Sequence, residues 1–160
     1  MSEPGSDTNP QFELAADAYV WGFSRMLYAK YLRDLRKVNA PLNRFMVMDR
    51  MASPNEGGIN VDTLYGVAWL DLAREPVVID IPDARDRYYS IALIDVHAYN
   101  FDYIGRRTTG TDAQKVLVAG PEWNGNVPVG MKLVRSPSRG SFCFLRTLID
   151  NEADVAIANE

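Results

Sequence analysis

Asn60, Asp62 and Tyr65 stand at the mouth of an apolar segment, Leu64, Val67, Trp69, Leu70 and Leu72, that leaves neither face of a strand polar. Polar side chains at the point where a loop enters a buried sheet suit a ligand site. They suit equally a polar knot that fixes the loop. If burial raises its pKa, Asp62 or Asp95 would serve as a general base, with Arg146 or Arg107 holding an anionic group. Isomerase, cyclase, lyase or hydratase chemistry fits such equipment without a metal or other cofactor.

Alternation along the following strands picks out the other candidates. Tyr89, Ile91, Leu93, Asp95 and His97 share one face, so a carboxylate and the sole imidazole continue a row of core residues. Either they floor a pocket, with Tyr99 just beyond, or the strand leaves the core there and both are solvated. Phe142, Phe144, Arg146 and Leu148 share another face, which sets a guanidinium among apolar neighbours. A buried arginine needs a partner, and Asp62 and Asp95 are the natural ones, as a strut or as part of a substrate clamp. Arg106 and Arg107, followed by Thr108 and Thr109, form either an anion site or an exposed turn.

Counting excludes more chemistry than it allows. One histidine and one cysteine, His97 and Cys143, cannot build a disulfide, a thiolate cluster or a two-histidine metal site within a chain. There is no G-x-S-x-G elbow and no glycine-rich phosphate loop. Seventeen basic against twenty-one acidic residues, a net charge of −4 without a basic block, argue against a nucleic-acid partner. No apolar run is long enough to span a membrane, and the acidic, helix-breaking start, Met1 to Asp7, is unlike a secretory signal. The expectation is a cytoplasmic protein.

The elements that must position these residues follow from period and punctuation. Residues 1–9 read as a disordered arm. Asn9-Pro10 opens a helix over 10–38, marked by an apolar stripe from Phe12 through Tyr19, Phe23, Leu27 and Tyr31 to Val38, with acids first and bases last. A loop covers about 41–60, including the flexible run Ser53 to Gly58. Strands are predicted over 64–72, 76–81, 87–97, 99–105, 115–119, 131–135 and 141–149, and a short helix over 150–160. Seven short strands separated by turn signals favour an antiparallel sandwich or jelly-roll, here one mainly-β domain over 10–160. The aromatic side chains between Tyr65 and Tyr103 fit core packing, and a few lining a cavity would suit an apolar ligand.

Asn60-Val61-Asp62-Thr63-Leu64-Tyr65, Trp69-Leu70-Asp71-Leu72 and Glu75-Pro76-Val77-Val78 resemble the bacterial domain-of-unknown-function family 1254 (DUF1254). So do Arg87-Tyr88-Tyr89, Asn100-Phe101, Tyr103-Ile104-Gly105, Arg107-Thr108-Thr109-Gly110, Gly120-Pro121 and Arg135-Ser136-Pro137. The resemblance runs from about Ala15 to Asp150. Ala18-Tyr19-Val20-Trp21-Gly22-Phe23 is similar to the family's opening segment, with Ser24 where proline is expected. It implies a β-sandwich or jelly-roll-like domain behind an N-terminal helix, and it implies no reaction. Members usually carry a second β domain, numbered 1214, and many are exported; this sequence stops at Glu160 and opens without a signal. An uncovered apolar face is therefore expected, and with it a homodimer or a partner chain. Two functions stand side by side: a small-molecule binding domain working through Asn60, Asp62, Tyr65, Asp95, His97, Tyr99, Arg107 and Arg146, or an assembly module in which those residues are struts.

Overall fold

Asn9 caps the first helix, α1 (Pro10–Lys37), its Oδ1 accepting from the Gln11 amide at 3.0 Å, and proline takes the first helical position. Arg36 and Lys37 close the last turn, and Asn39 then turns left-handed with φ 52°. The computed structural model describes residues 9–37, 39–56 and 60–159. Nearly all of the expected arm, Val38, Gly57, Gly58, Ile59 and Glu160 lie outside them. The apolar stripe of α1 is not a core face, because no residue of the helix is buried.

Eight strands follow: β1 (Met46–Val47), β2 (Thr63–Asp71), β3 (Val77–Ile81), β4 (Tyr89–Ile94), β5 (Asn100–Gly105), β6 (Gln114–Ala119), β7 (Met131–Arg135) and β8 (Gly140–Leu148). They form a five-stranded sheet in the order β1-β2-β8-β4-β5 and a three-stranded sheet in the order β3-β6-β7. β1 falls inside the region expected to be a loop; its two residues carry no periodic signal, and pairing with Val67 and Gly66 creates it. Every pairing is antiparallel except β6 with β7, where residues 120–130 carry the chain back along the sheet so that β7 starts in the same direction. A 3₁₀ turn (Glu152–Asp154), capped by Asn151, leads into α2 (Val155–Ala158), shorter than the helix expected over 150–160.

The two sheets face one another as a sandwich. Ala68 and Leu70 of β2, Tyr89, Ile91 and Leu93 of β4, Ile104 of β5 and Cys143 of β8 meet Ile79, Ile81, Val116, Val118 and Val134 from the smaller sheet. Beyond that core, Leu64, Ile149 and Val155 make a smaller cluster under α2. Side chains alternate across a strand, so Thr63, Tyr65, Val67 and Trp69 point to the opposite, outer face of the large sheet. α1 touches that face at one end. Tyr28 meets Trp69 edge-on with ring centres 4.9 Å apart, and Tyr31 lies 6.2 Å from the same indole. No described helix is long and apolar enough to cross a membrane.

Candidate functional site

Strand register converts the alternation of three separate segments into one surface. On the outer face Arg146 stands opposite Tyr65 on one side and Ser90 on the other, and Ser90 stands opposite Gly105. The next row reads Val67, Phe144, Ala92 and Tyr103, and the row after it Trp69, Phe142 and Ile94. A polar row of phenol, guanidinium and hydroxyl thus borders two apolar rows. α1 closes the surface at the Trp69 end.

Arg146 is exposed, contrary to the burial expected of it, and no carboxylate among the described residues forms an ion pair with it. It pairs with neither Asp62 nor Asp95. Its guanidinium instead lies over rings, 4.7 Å from the centre of Phe144 and 5.8 Å from that of Tyr65. A cation over an aromatic face in solvent gains about 0.5–1 kcal/mol, so an arginine among apolar neighbours needs no buried acid. Tyr65 stacks on Phe144 with centres 5.4 Å apart and is itself buried.

The Tyr65 hydroxyl accepts a hydrogen bond from the Asn60 amide at 2.7 Å. Burial pushes this phenol up, but the Asn60 amide, the Thr63 hydroxyl and the Arg146 guanidinium together outweigh burial and hold it below its ordinary value of 10.0. The Thr63 contact falls short of a well-formed hydrogen bond, since its buried Oγ1 has no partner among the described residues. Thr63 is only 7% exposed. A buried hydroxyl without a partner is costly, which makes it a marker of unmet polarity.

The other expected site residues are dispersed. Asp62 is exposed, and its carbonyl accepts from the Ile149 amide at 3.0 Å. Asp95 is buried, and its Oδ1 accepts from the His97 and Tyr99 amides at 2.8 and 2.9 Å, shaping the β4–β5 hairpin around the left-handed Ala98. His97 turns away to α1, where its Nε2 accepts from Arg25 Nε at 3.0 Å and its ring lies beside Trp21. Tyr99 is 71% exposed. Arg107 lies over Tyr88, 5.5 Å from the ring centre, on the turn after β5. The structure therefore gathers Asn60, Tyr65 and Arg146 and places Asp95, His97 and Tyr99 in the β4–β5 hairpin; Asp62 forms no ion pair with Arg146, and Arg107 lies over Tyr88, two residues before Ser90. Among the described residues no group of histidine, cysteine and acidic side chains could hold a metal ion.

The sequence did not single out Thr63 or Ser90. Both stand on strands whose alternation is legible, but only the register sets them beside Tyr65 and Arg146. Nor did it point to a cleft of about 670 Å³ at one end of the sandwich, floored by Ile79, Ile81, Ile91 and Leu145. The charges around that cleft are largely matched. Arg106 pairs with Asp86 at 3.0 Å, Lys115 with Asp80, and Arg87 with Asp154 through contacts of 2.5 and 2.7 Å. Arg85 and Asp86 at its lip take left-handed backbone, φ 49° and 64°, held by Asp83 Oδ1 and by Arg106. The cleft has room, and Arg85 at its lip forms no ion pair among the described residues; on the outer face Arg146 likewise forms none, and the Thr63 hydroxyl has no partner there among the described residues.

A family model described as "Protein of unknown function (DUF1254)" matches residues 42–160. The crystal structure of the VPA0106 protein from Vibrio parahaemolyticus is similar over 92% of this chain, with 31% identity and a TM-score of 0.77. The matched part is 35% of that protein, so the present chain spans about a third of its length. An uncharacterised protein from Burkholderia cenocepacia matches over 62% of this chain and 31% of its own, with 13% identity and a TM-score of 0.42. No curated protein matches significantly.

Proposed function

Because this chain belongs to the DUF1254 family, whose description names no reaction, we propose a function from its surface: it is a small-molecule binding domain whose ligand lies on the outer face of the five-stranded sheet. The observation that carries this reading is the row Tyr65–Arg146–Ser90, in which a guanidinium held over two rings has no acidic partner among the described residues. A stacked arginine is pre-organised, so a ligand that engages it pays little to order the side chain. Binding is better supported than turnover. Asp62 is exposed, and two loop amides already occupy one oxygen of Asp95, so neither carboxylate is equipped as a base beside Arg146.

A fragment set of mixed charge, screened by ligand-observed NMR against the parent and Arg146→Gln, tests the reading. Hits on the parent should vanish with the variant, while the melting curve moves by no more than about 1 kcal/mol, as for other exposed positions. Fragments that bind both proteins alike would place the site elsewhere, with the cleft as the next location to probe.

A second reading, an assembly module, is favoured by α1, on which Phe12, Leu14, Val20 and Trp21 are each more than 60% exposed. Large apolar side chains gathered on an exposed helix mark an interaction surface. The two readings use different faces of the molecule and are compatible.

A further inference from the structure

We propose that the cleft at the end of the sandwich is a second binding site, for an unbranched aliphatic monocarboxylate. Its carboxylate meets Arg85, and its chain lies along Ile79, Ile81, Ile91 and Leu145. The site is separate from the outer face and does not rest on the reading given above.

Volume and lining select the body. The cleft holds about 670 Å³, inside the range of roughly 300–1,000 Å³ that small-molecule sites occupy. Its floor draws on both sheets, Ile79 and Ile81 from β3, Ile91 from β4 and Leu145 from β8, so an occupant extends the contacts of the sandwich interior. These four side chains are aliphatic. They offer an alkyl chain close contact and removal from water, and no flat face on which a ring would stack. The aromatic residues at the cleft are engaged elsewhere: Arg107 lies over Tyr88, the Tyr89 hydroxyl donates to the Gly110 carbonyl at 3.1 Å, and Phe45 packs against the core. Val47 of β1 and Ile157 of α2 also line the cleft and are exposed, so its apolar surface reaches solvent.

Charge selects the head group. Of the charged side chains lining the cleft, Asp80 pairs with Lys115, Asp86 with Arg106 and Arg87 with Asp154. Asp83 Oδ1 accepts from the Arg85 amide at 2.8 Å and so holds the turn. Asp150 faces Arg87, whose guanidinium is held above its ordinary value by Asp154 first and by Asp150 as well. Arg85 remains, exposed and without an ion pair among the described residues. Its backbone gives an independent sign. The Arg87 amide donates to the Ala84 carbonyl at 2.8 Å, closing a turn whose central residues, Arg85 and Asp86, are both left-handed at φ 49° and 64°. Glycine, asparagine and aspartate are the usual occupants of such a turn. Arginine at its first central position is strained, and strain of this kind gathers at ligand clamps. One guanidinium matches one carboxylate through two parallel hydrogen bonds. The neighbouring acids Asp83 and Asp86 disfavour a more highly charged head.

Calorimetric titration of the full chain with hexanoate, octanoate, octanol and octylamine tests both the site and the class. Octanoate should bind with one site per chain. It should exceed hexanoate by about fourfold per added methylene, the worth of a methylene taken out of water. Octanol and octylamine should bind at least about tenfold more weakly than octanoate. Arg85→Asn deletes the charge and supplies a residue suited to left-handed backbone. It should melt at or above the parent and bring octanoate down to the affinity of octanol. Val47→Trp fills the cleft from an exposed strand position and should weaken octanoate and octanol alike, by at least about tenfold. A melt of each variant separates loss of binding from loss of structure. If octanol or octylamine matches octanoate on the parent while Val47→Trp weakens every probe, the proposed class is wrong and the cleft alone survives. If octanoate does not bind the parent, or binds both cleft variants as it binds the parent, the inference is overturned. Octanoate binding that is lost in Arg146→Gln and kept in both cleft variants overturns it too, and moves that ligand to the outer face.

Discussion

Thr63 carries a hydroxyl into a position that is 7% exposed, and that hydroxyl has no partner among the described residues. Leaving a buried polar group unsatisfied costs about 1–3 kcal/mol, and a hydrocarbon of similar shape avoids the cost. Thr63→Val should therefore stabilise the domain by about 1 kcal/mol or more, read as a higher urea midpoint at unchanged slope. It should also weaken whatever binds beside Tyr65, the trade expected where a site is kept at the expense of stability. A lower midpoint would mean that the hydroxyl is satisfied after all. Titration gives a second test at this scale. Burial pushes the Cys143 thiol from 9.0 to about 12, and burial first, then Asp71 and Cys143, pushes Tyr28 from 10.0 to about 12. Both folded values are raised, so their contribution is complete below about pH 9 and is lost as the pH climbs towards 12, where the unfolded chain releases protons that the native state retains. Tyr65, held below its ordinary value, works the other way and favours the fold only at the alkaline end. Stability should therefore fall as the pH rises from 9 to 12. In Cys143→Ala the fall should be shallower and begin later. What sequence could not tell about single residues was their partners: alternation put Arg146 on an apolar face, but whether a carboxylate or a ring would meet it depended on the strands on either side.

At the scale of elements, the strands were legible because turn residues bracket them and because buried sheets need β-branched and aromatic runs. Predicted and observed bounds of the last strand, 141–149 and Gly140–Leu148, differ by one residue at each end. Pairing was not legible. That β8 lies between β2 and β4, and so joins Tyr65, Arg146 and Ser90, depends on chain segments far apart in sequence. The same is true of the C-terminal segment, whose hold on the sandwich comes from Arg87 before β4. Arg87 donates to both Asp154 carboxylate oxygens and, at 2.8 Å, to the Leu148 carbonyl, while Asp154 also accepts from the Asp150 amide. The Arg87 guanidinium holds the Asp154 carboxyl at about 2, below its ordinary 3.8. The clamp is thus complete above pH 3.8 and is lost as the pH falls through about 2. Arg87→Ala should free the 3₁₀ turn and α2 from Leu64 and Ile149 at neutral pH. Amides of residues 153–159 should then exchange through local opening, well before the sheets do. Exchange that stays uniform with the sheet core would show that the apolar cluster alone holds the segment.

At the scale of the whole molecule, α1 is the element with the most apolar surface and the least cover. Its stripe was legible as a helix, but period alone does not say what a helix faces. Here it faces the sheet through Tyr28 and Tyr31 against Trp69, through Tyr28 against Gly140, and through Trp21 and Arg25 against His97. Val20 and Trp21 remain 74% and 64% exposed. The helix carries Glu13 in its first turn and Arg36 and Lys37 in its last. Two copies laid antiparallel about a twofold axis would set acids against bases and cover each other's apolar stripe, the simplest closed arrangement for identical chains. Sedimentation at micromolar concentration should then report twice the 18.0 kDa chain mass. Val20→Asp should weaken association by more than about tenfold, since it puts a charge at an apolar contact. Its thermal melt should barely move, because no α1 residue is buried in the single chain and nothing in the core depends on Val20. That separation makes the test decisive: a parent that sediments as an 18.0 kDa monomer at every concentration, or a Val20→Asp variant that dimerises as the parent does, would remove α1 as a self-association surface.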